Sequence, residues 1–311
     1  MKILVTGAAG LIGSHTIDLL LEKGHIVHGI DDLSFGDKEN IKDAIKHPNF
    51  MFIEGKVQHL PIQNYQYDVI YHFASMKKAW DGSITPNQIM NINFDMVKHL
   101  ESITRTNRCK LIFASTSDIY GNSETFKEED DITMGPPTNP RYSYALSKWH
   151  GEQYILNSDI KSTIIRIFGC ASKRSNKTWS GGHVPLFVNK IINGENIEIH
   201  GDGLQTRSIS HAEDIARGFV SILDKPEETN KQIINLGTDQ QTSVRYVAEY
   251  IINKIGIGKS KIIHTSIEEI FGNYNEIMIR FANTEKAKRI LDYKVNYTTE
   301  QVIDEIIKSY E

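Results

Sequence analysis

The chain has 311 residues, 40% hydrophobic and 24% charged, with a formal net charge of -4. That length supports a large core, in one large domain or two intimate ones. The weak negative charge gives no basis for binding nucleic acid or an acidic membrane surface, and no apolar run approaches a membrane span. The two cysteines, Cys109 and Cys170, cannot make a disulfide framework and point to a reducing cytosol.

In chain order, short apolar runs alternate with helical patterns. This reads as an α/β fold, a Rossmann-type doubly wound parallel sheet. Strands are expected at Lys2–Thr6, Ile26–Ile30, Phe50–Glu54, Val69–Phe73, Lys110–Ala114 and Ser162–Ile167. Helices are expected at Leu11–Lys23, Thr85–Thr106 and Tyr142–Asn157. The start superficially resembles a signal peptide, but Gly7, Gly10 and Gly13 fit a strand, turn and helix better. After residue 167 the rhythm loosens and Gly and Asn turns multiply. Residues 1–167 therefore read as a dinucleotide-binding domain, to which segments of about 211–236 return. Residues 168–210 and 237–311 read as a smaller C-terminal substrate-binding lobe.

The first turn is Thr6-Gly7-Ala8-Ala9-Gly10-Leu11-Ile12-Gly13, placed between a strand and a helix. Gly7 allows the tight turn, Gly10 lets backbone approach a pyrophosphate at the helix N-terminus, and Gly13 lets helix and strand pack closely. Asp31 ends the second strand about 20 residues on, where an acid holds ribose hydroxyls. Asp32, Leu33 and Ser34 follow, with no adjacent Arg to neutralise a 2′-phosphate, so NAD is favoured over NADP.

Tyr144 and Lys148 stand four residues apart, on one face of a helix. A phenol titrates near about 10 when unperturbed, and a neighbouring ammonium favours the phenolate. Lys148 together with a cationic nicotinamide ring would supply that shift. Tyr250 and Lys254 share the spacing but lie far along the chain from any phosphate loop, and read as a helix face.

With both motifs present, the chain resembles an extended short-chain dehydrogenase/reductase, and in particular the nucleotide-sugar epimerase/dehydratase family. The similarity runs nearly end to end. It includes Asp31-Asp32-Leu33-Ser34-x-Gly36, His72-Phe73-Ala74, Asn91-Ile92-Asn93, Ser115-Thr116-Ser117-Asp118-Ile119-Tyr120-Gly121, Gly201-Asp202-Gly203-Leu204-Gln205-Thr206-Arg207 and Asn283-Thr284-Glu285. The resemblance implies NAD contacts from Gly7, Gly10, Leu11, Ile12, Gly13, Asp31 and Asp32. It implies further ones from Phe73, Ala74, Lys77, Asn91, Ser115, Tyr144 and Lys148. Catalysis would rest on Thr116, Tyr144 and Lys148, with Asp118 as a further candidate, and substrate would meet Thr116, Tyr144, Gly169, Trp179 and Arg207. Three departures stand out: Gly55-Lys56 replaces the usual adenine-contacting Asp, Gly169 replaces Asn in the stretch Arg166-Ile167-Phe168-Gly169, and Ala171-Ser172-Lys173-Arg174, followed by Trp179-Ser180-Gly181-Gly182, replaces the usual Pro-Arg.

By this resemblance Tyr144 takes a proton from a sugar hydroxyl, most often at C4, while NAD takes the hydride from the same carbon. Thr116 hydrogen-bonds the reacting oxygen, or alternatively satisfies its own turn. Arg207 offers a planar fork suited to a phosphate. The expected substrate is a nucleoside-diphosphate sugar, UDP-linked, and the leading expectation is a UDP-sugar 4-epimerase. Ser117-Asp118 replaces the Asp-Glu pair of the 4,6-dehydratases. Thr-Ser-Asp instead resembles the Thr-Ser-Glu of UDP-glucuronate decarboxylases, with Asp118 shorter by one methylene. A decarboxylase or dehydratase is therefore the alternative, and a non-catalytic NAD-sensing protein is the rival from another class. His183 and His211 lack metal-ligand spacing, so no metal is expected. The resemblance also implies a homodimer formed through Thr85–Thr106 and Tyr142–Asn157.

Overall fold

Strand β1 (Lys2–Thr6) explains the layering. Ile3 and Val5 point into one buried cluster and Leu4 into another, because successive side chains leave opposite faces of a strand. A strand covered on both faces needs a continuous apolar run, and the inner strands have one. The computed structural model describes residues 1–310 except 63–65, 78–83, 136–137, 178–181, 257–259 and 272–275. Lys78 and the Trp179-Ser180-Gly181 stretch therefore lie outside the described residues.

After β1 come α1 (Leu11–Glu22), β2 (Ile26–Asp31), β3 (Phe50–Glu54), β4 (Val69–His72), α2 (Pro86–Asn107), β5 (Lys110–Thr116), α3 (Ser143–Asn157) and β6 (Lys161–Ile167). Then follow β7 (Cys170–Ala171), α4 (His183–Ile192), β8 (Ile197–His200), β9 (Thr206–Arg207), β10 (Ser210–His211), α5 (Ala212–Ser221), β11 (Gln232–Leu236), β12 (Thr242–Ser243) and α6 (Val244–Ile255). The chain ends with β13 (Ile262–Thr265), α7 (Ile267–Phe271), β14 (Ile279–Arg280), α8 (Glu285–Leu291) and α9 (Thr299–Lys308). Helix α2 starts at a capping box of Thr85 and Gln88, with Pro86 in its first turn.

The main sheet is parallel, in the order β11-β6-β5-β4-β1-β2-β3. Strand order reverses between β1 and β4, so a crevice opens outside their C-terminal ends. Helices α1, α5 and α8 cover one face through Ile17, Leu20, Ile215, Phe219 and Leu291. Helices α2 and α3 cover the other through Met96, Val97, Leu100 and Ile155. The lobe has a separate core of α4, α6 and α9 around Phe187, Ile199, Val247 and Ile303.

One boundary differs from the sequence reading. Helix α8 falls within the segment assigned to the lobe, yet Ala287 and Leu291 join the core of the main sheet. The apolar stripe of α8 packs on β11 and α5, so the chain crosses back once more near its end. β4 also stops at His72, one residue short of the expected Phe73. The backbone then turns to let Phe73 N–H donate to the Thr6 carbonyl at 3.1 Å.

Candidate active site

At the crevice, Gly7 has φ +71°, and a Cβ there would lie 2.7 Å from Ala74 N. A Cβ on Gly13 would lie 2.1 Å from the Gly7 carbonyl oxygen. Both glycines are demanded by close backbone approach. At Gly10 a Cβ would meet only the Gly7 carbonyl, at 3.2 Å. Gly10 is also the N-cap of α1, without a side-chain cap and with no acid in the first turn. The first turn of α1, with Leu11 and Ile12 half-buried, therefore presents bare N–H groups and the positive end of the helix dipole to the crevice. That is the chemistry a pyrophosphate requires.

Asp31 stands at the end of β2, with Oδ2 accepting from Ala9 N–H at 3.0 Å and Oδ1 from Leu33 N–H at 2.9 Å. Burial raises its pKa, and these two backbone donors oppose the rise. Each oxygen keeps a lone pair for a ligand hydroxyl. Asp32 is exposed and caps its own turn, accepting from Ser34 N–H and Oγ–H. Beyond β4, Ala74 N–H donates to Thr6 Oγ1 at 3.3 Å, and the Phe73 ring packs edge-on against Phe219. Lys77 is exposed at the rim of this segment. Lys56, in the place of the usual Asp, is exposed as well.

Asn91 does not face the crevice. It is exposed on α2, and Asn93 is the inward residue of that segment, 3% exposed. Asn93 Nδ2 donates to Ser147 Oγ at 2.9 Å and to the Met76 carbonyl at 3.0 Å, while Oδ1 accepts from Met76 N–H at 2.7 Å. Two residues turn a helix by about 200°, so Asn91 and Asn93 cannot share a face. The signal was in the sequence: Asn93 lies on the stripe Ile89, Met96, Val97, Leu100.

Strand β5 ends beneath this loop. Ser115 Oγ is buried and has no hydrogen-bond partner, an orphan hydroxyl at the crevice floor. Thr116 Oγ1 accepts from Asp118 N–H at 3.2 Å and so caps the 3₁₀ turn Ser117–Tyr120. The turn role noted from sequence is thus real, and the Thr116 hydroxyl also bonds the Asp118 carboxylate.

Tyr144 and Lys148 sit on α3, with Lys148 Nζ 6.0 Å from the Tyr144 ring centroid. Lys148 is 3% exposed and donates from Nζ to the Ala114 carbonyl at 2.9 Å. Burial, reinforced by the nearby Lys77 ammonium, lowers its pKa to about 7, against a smaller upward pull from Glu152. The Tyr144 phenol is shifted up, first by burial and then by the Asp118 carboxylate, against a hydrogen bond with Ser75. Lys148 alone therefore does not offset the burial of the phenol, and the expected shift needs the cationic nicotinamide ring as well. An amine that titrates near neutrality lends only part of a positive charge, and burial disfavours the phenolate as strongly as the ammonium.

Ion pairs engage the arginines of β9 and β14. Arg280 Nη1 donates to Asp118 Oδ1, linking β14 of the lobe to the turn after β5. Burial opposes ionisation of Asp118, but Arg280 and Thr116 outweigh it and hold the carboxyl below its ordinary range. Asp118 is thus paired with an arginine of the lobe. Arg207 pairs with Glu276 through Nη2 and donates from Nη1 to the Thr206 carbonyl at 2.8 Å. Arg207 and Arg280 are register partners in β9 and β14. Neither Arg280 nor Glu276 was singled out from sequence, since no motif marks them. Gly169 is exposed, and a Cβ there would lie 2.4 Å from the Ser208 carbonyl oxygen, so the glycine answers a backbone crossing.

Tyr250 and Lys254 lie on the exposed side of α6, both bound to Asp304 of α9 at 3.0 and 2.9 Å. Among the described residues no cluster of His, Cys, Asp and Glu could hold a metal ion, and no helix is long and apolar enough to cross a membrane.

Comparisons agree with this geometry. The chain is 29% identical over 318 aligned positions to the UDP-N-acetyl-alpha-D-glucosaminuronate decarboxylase of Bacillus cytotoxicus, covering 99% of this chain and 97% of that one. Among solved structures, Pal from Bacillus thuringiensis matches with a TM-score of 0.87 at 27% identity, over 100% of both chains. The UDP-glucuronic acid 4-epimerase of Bacillus cereus, solved with UDP-glucuronic acid and NAD, matches with a TM-score of 0.84 at 25% identity, again over 100% of both. The family model described as the NAD dependent epimerase/dehydratase family matches residues 3–237, and the chain belongs to that family.

Proposed function

We propose that this protein oxidises the C4 carbon of a UDP-linked sugar transiently, with Tyr144 as the base and NAD as the resident cofactor. The observation that carries the reading is the placing of Tyr144 and Lys148 beside the end of β5, at the crevice formed by the glycine turn and Asp31. NAD, when bound, accepts the C4 hydride and returns it. Gly7, Gly10 and Gly13 leave room for its pyrophosphate, and Asp31 accepts its ribose hydroxyls. Ser115, Phe73 and Ala74 line the inner end, where the orphaned Ser115 hydroxyl gains a partner.

Tyr144 removes the proton of the C4 hydroxyl, and Thr116 turns its hydroxyl proton from Asp118 to the same oxygen. Its buried phenol needs added positive charge to ionise, and the cationic cofactor and Lys148 supply it together. Arg207 exchanges Glu276 for the substrate diphosphate. An epimerase asks for nothing more, since the ketone only has to turn before the hydride returns to its other face.

The Asp118–Arg280 pair favours a second outcome on the same first step. A guanidinium that holds a side-chain carboxylate fits a sugar carboxylate equally well. A uronate oxidised at C4 is a β-keto acid. Its C5–C6 bond breaks, carbon dioxide leaves, and the bonding pair stays on C5 as an enolate that takes a proton. Asp118, released from Arg280, stands beside that carbon as the proton carrier.

Proton NMR of a panel of UDP-sugars, including UDP-linked uronates, in heavy water tests both outcomes. A new epimer that keeps its C4 hydrogen and gains no deuterium supports epimerisation. Deuterium at C5 with loss of carbon dioxide supports decarboxylation. Full activity of Tyr144→Phe would sink the shared first step.

The protein is further read as a cytosolic homodimer that pairs through α2 and α3. Trp149 is 37% exposed on α3, and His150 stacks on Phe94 of α2 at 3.8 Å. Both cysteines are free, in keeping with a reducing setting. A monomeric mass in solution would refute the pairing.

A further inference from the structure

Glu152 and Arg166 form an ion pair whose side chains are only 1% and 4% exposed. Arg166 Nε donates to Glu152 Oε1 at 3.1 Å and Nη2 donates to Oε2 at 2.8 Å, a bidentate fork. Stability does not account for it. Burying two charges is costly, and apolar side chains of similar volume often serve as well or better. Its position is the informative part.

Glu152 lies on α3, one helical turn past Lys148 and two past Tyr144. Arg166 lies in β6, in register with Ser115 of β5 and Asn235 of β11. Its guanidinium carbon stands 4.7 Å from the Tyr120 ring centroid, and Nη1 reaches the Glu128 carbonyl at 3.5 Å. The Tyr120 hydroxyl donates to Asn235 Oδ1 at 2.8 Å. Tyr120 closes the same 3₁₀ turn that carries Asp118. One guanidinium therefore touches both the helix of Tyr144 and Lys148 and the turn of Asp118. It also neutralises the carboxylate nearest Lys148 along the helix.

We propose that Arg166 and Glu152 are positioning residues for the reaction: the pair locks the Tyr144–Lys148 face of α3 against the Asp118 turn and limits the pull of the Glu152 charge on Lys148. The inference rests on the C4-oxidation reading for its catalytic consequence, but its electrostatic part is measurable without substrate. Glu152→Gln keeps the shape and removes one charge. Arg166→Met leaves the Glu152 carboxylate unpaired. The double variant Glu152→Met/Arg166→Met removes both charges and keeps the bulk.

The Lys148 titration is read by NMR of the NAD-bound protein labelled at lysine Cε, with Lys148→Met assigning the signal. It moves to lower pH in Glu152→Gln and to higher pH in Arg166→Met, by on the order of one unit. With a UDP-sugar that the wild type turns over, kcat falls about 10- to 100-fold in each variant while KM changes little, as displaced reacting groups require. The double variant folds and stays slow. An unmoved Lys148 signal in all three, or a double variant with wild-type kcat, overturns the proposal. If Arg166→Met does not fold, the other two variants decide. If the wild type turns over no sugar nucleotide, the C4-oxidation reading fails, and the NMR arm still judges the clamp.

Discussion

Around the glycine turn the binding groups are backbone, fixed by contacts that leave no room for a Cβ at Gly7 or Gly13. Asp31 is likewise held by two backbone N–H groups. In the lobe the binding groups are side chains, and Arg207 and Arg280 each hold an acid of the protein itself. On the proposed function the cofactor side is preformed, whereas the substrate side would exchange internal ion pairs for ligand anions. A preformed site suits a cofactor that stays through every turnover. An ion pair that a ligand replaces suits a substrate that must come and go, because the internal acid offsets part of the anion's affinity.

The sharpest way to break this comparison is at the point where the halves meet. Tyr144→Phe removes the base and leaves the cradle intact. Turnover is expected to fall by about 10²–10⁴-fold, with NAD affinity unchanged in a direct titration. Gly13→Ala attacks the preformed side. A Cβ at 2.1 Å from a backbone oxygen forces the turn to open. Stability is expected to drop by about 1–3 kcal/mol, with NAD binding weakened in parallel, as calorimetry and thermal melts would read. A variant that bound NAD normally would show the turn to be compliant.

On the exchangeable side, Arg280→Met is expected to separate substrates. Activity on a UDP-linked uronate should fall roughly 10- to 100-fold, as loss of a charged hydrogen-bond partner implies, while that on a neutral UDP-sugar should change little. Equal losses on both would make Arg280 a holder of Asp118 only.

Lys148 gives a pH test. Its folded pKa of about 7 lies below the ordinary 10.5. Between those values the unfolded chain binds more protons, so stability rises with pH from about 7 upward and the cost of the buried charge is full below it. Lys148→Met should therefore be more stable than wild type near pH 7, with the gap closing by on the order of 2 kcal/mol by pH 9. A gap that ignores pH in urea titrations would mean that the folded amine stays protonated across this range, like the unfolded one.

The preformed half was also the legible half. A turn such as Gly7-x-x-Gly10-x-x-Gly13 is local, and its backbone requirement is written in adjacent residues. The strand runs were legible for a related reason: β1, β4 and β5 are covered on both faces and read as unbroken apolar stretches. Asn93 was within reach of periodicity on α2, but the motif match drew attention to Asn91. Arg280 and Glu276 were not legible. Their partners lie 162 and 69 residues away in the chain, and no local pattern encodes a contact between such distant stretches. The burial of Lys148 was not legible for the same reason, since burial is a property of the whole packing and not of the Tyr144–Lys148 spacing.

The smallest effect expected is at Glu276, and it tests the exchange directly. The Arg207 and Glu276 side chains are 15% and 12% exposed, so their pair is neither fully solvated nor deeply buried. Glu276→Gln keeps a neutral acceptor for the guanidinium and removes the competing charge. If the substrate diphosphate takes the place of Glu276, the variant should bind the nucleotide diphosphate more tightly, by about 1 kcal/mol or roughly fivefold. The gain should shrink as salt rises, because the part-exposed charges are screened. Weaker binding would instead mean that Glu276 aims the fork and that Arg207, like Asp31, belongs to a preformed site.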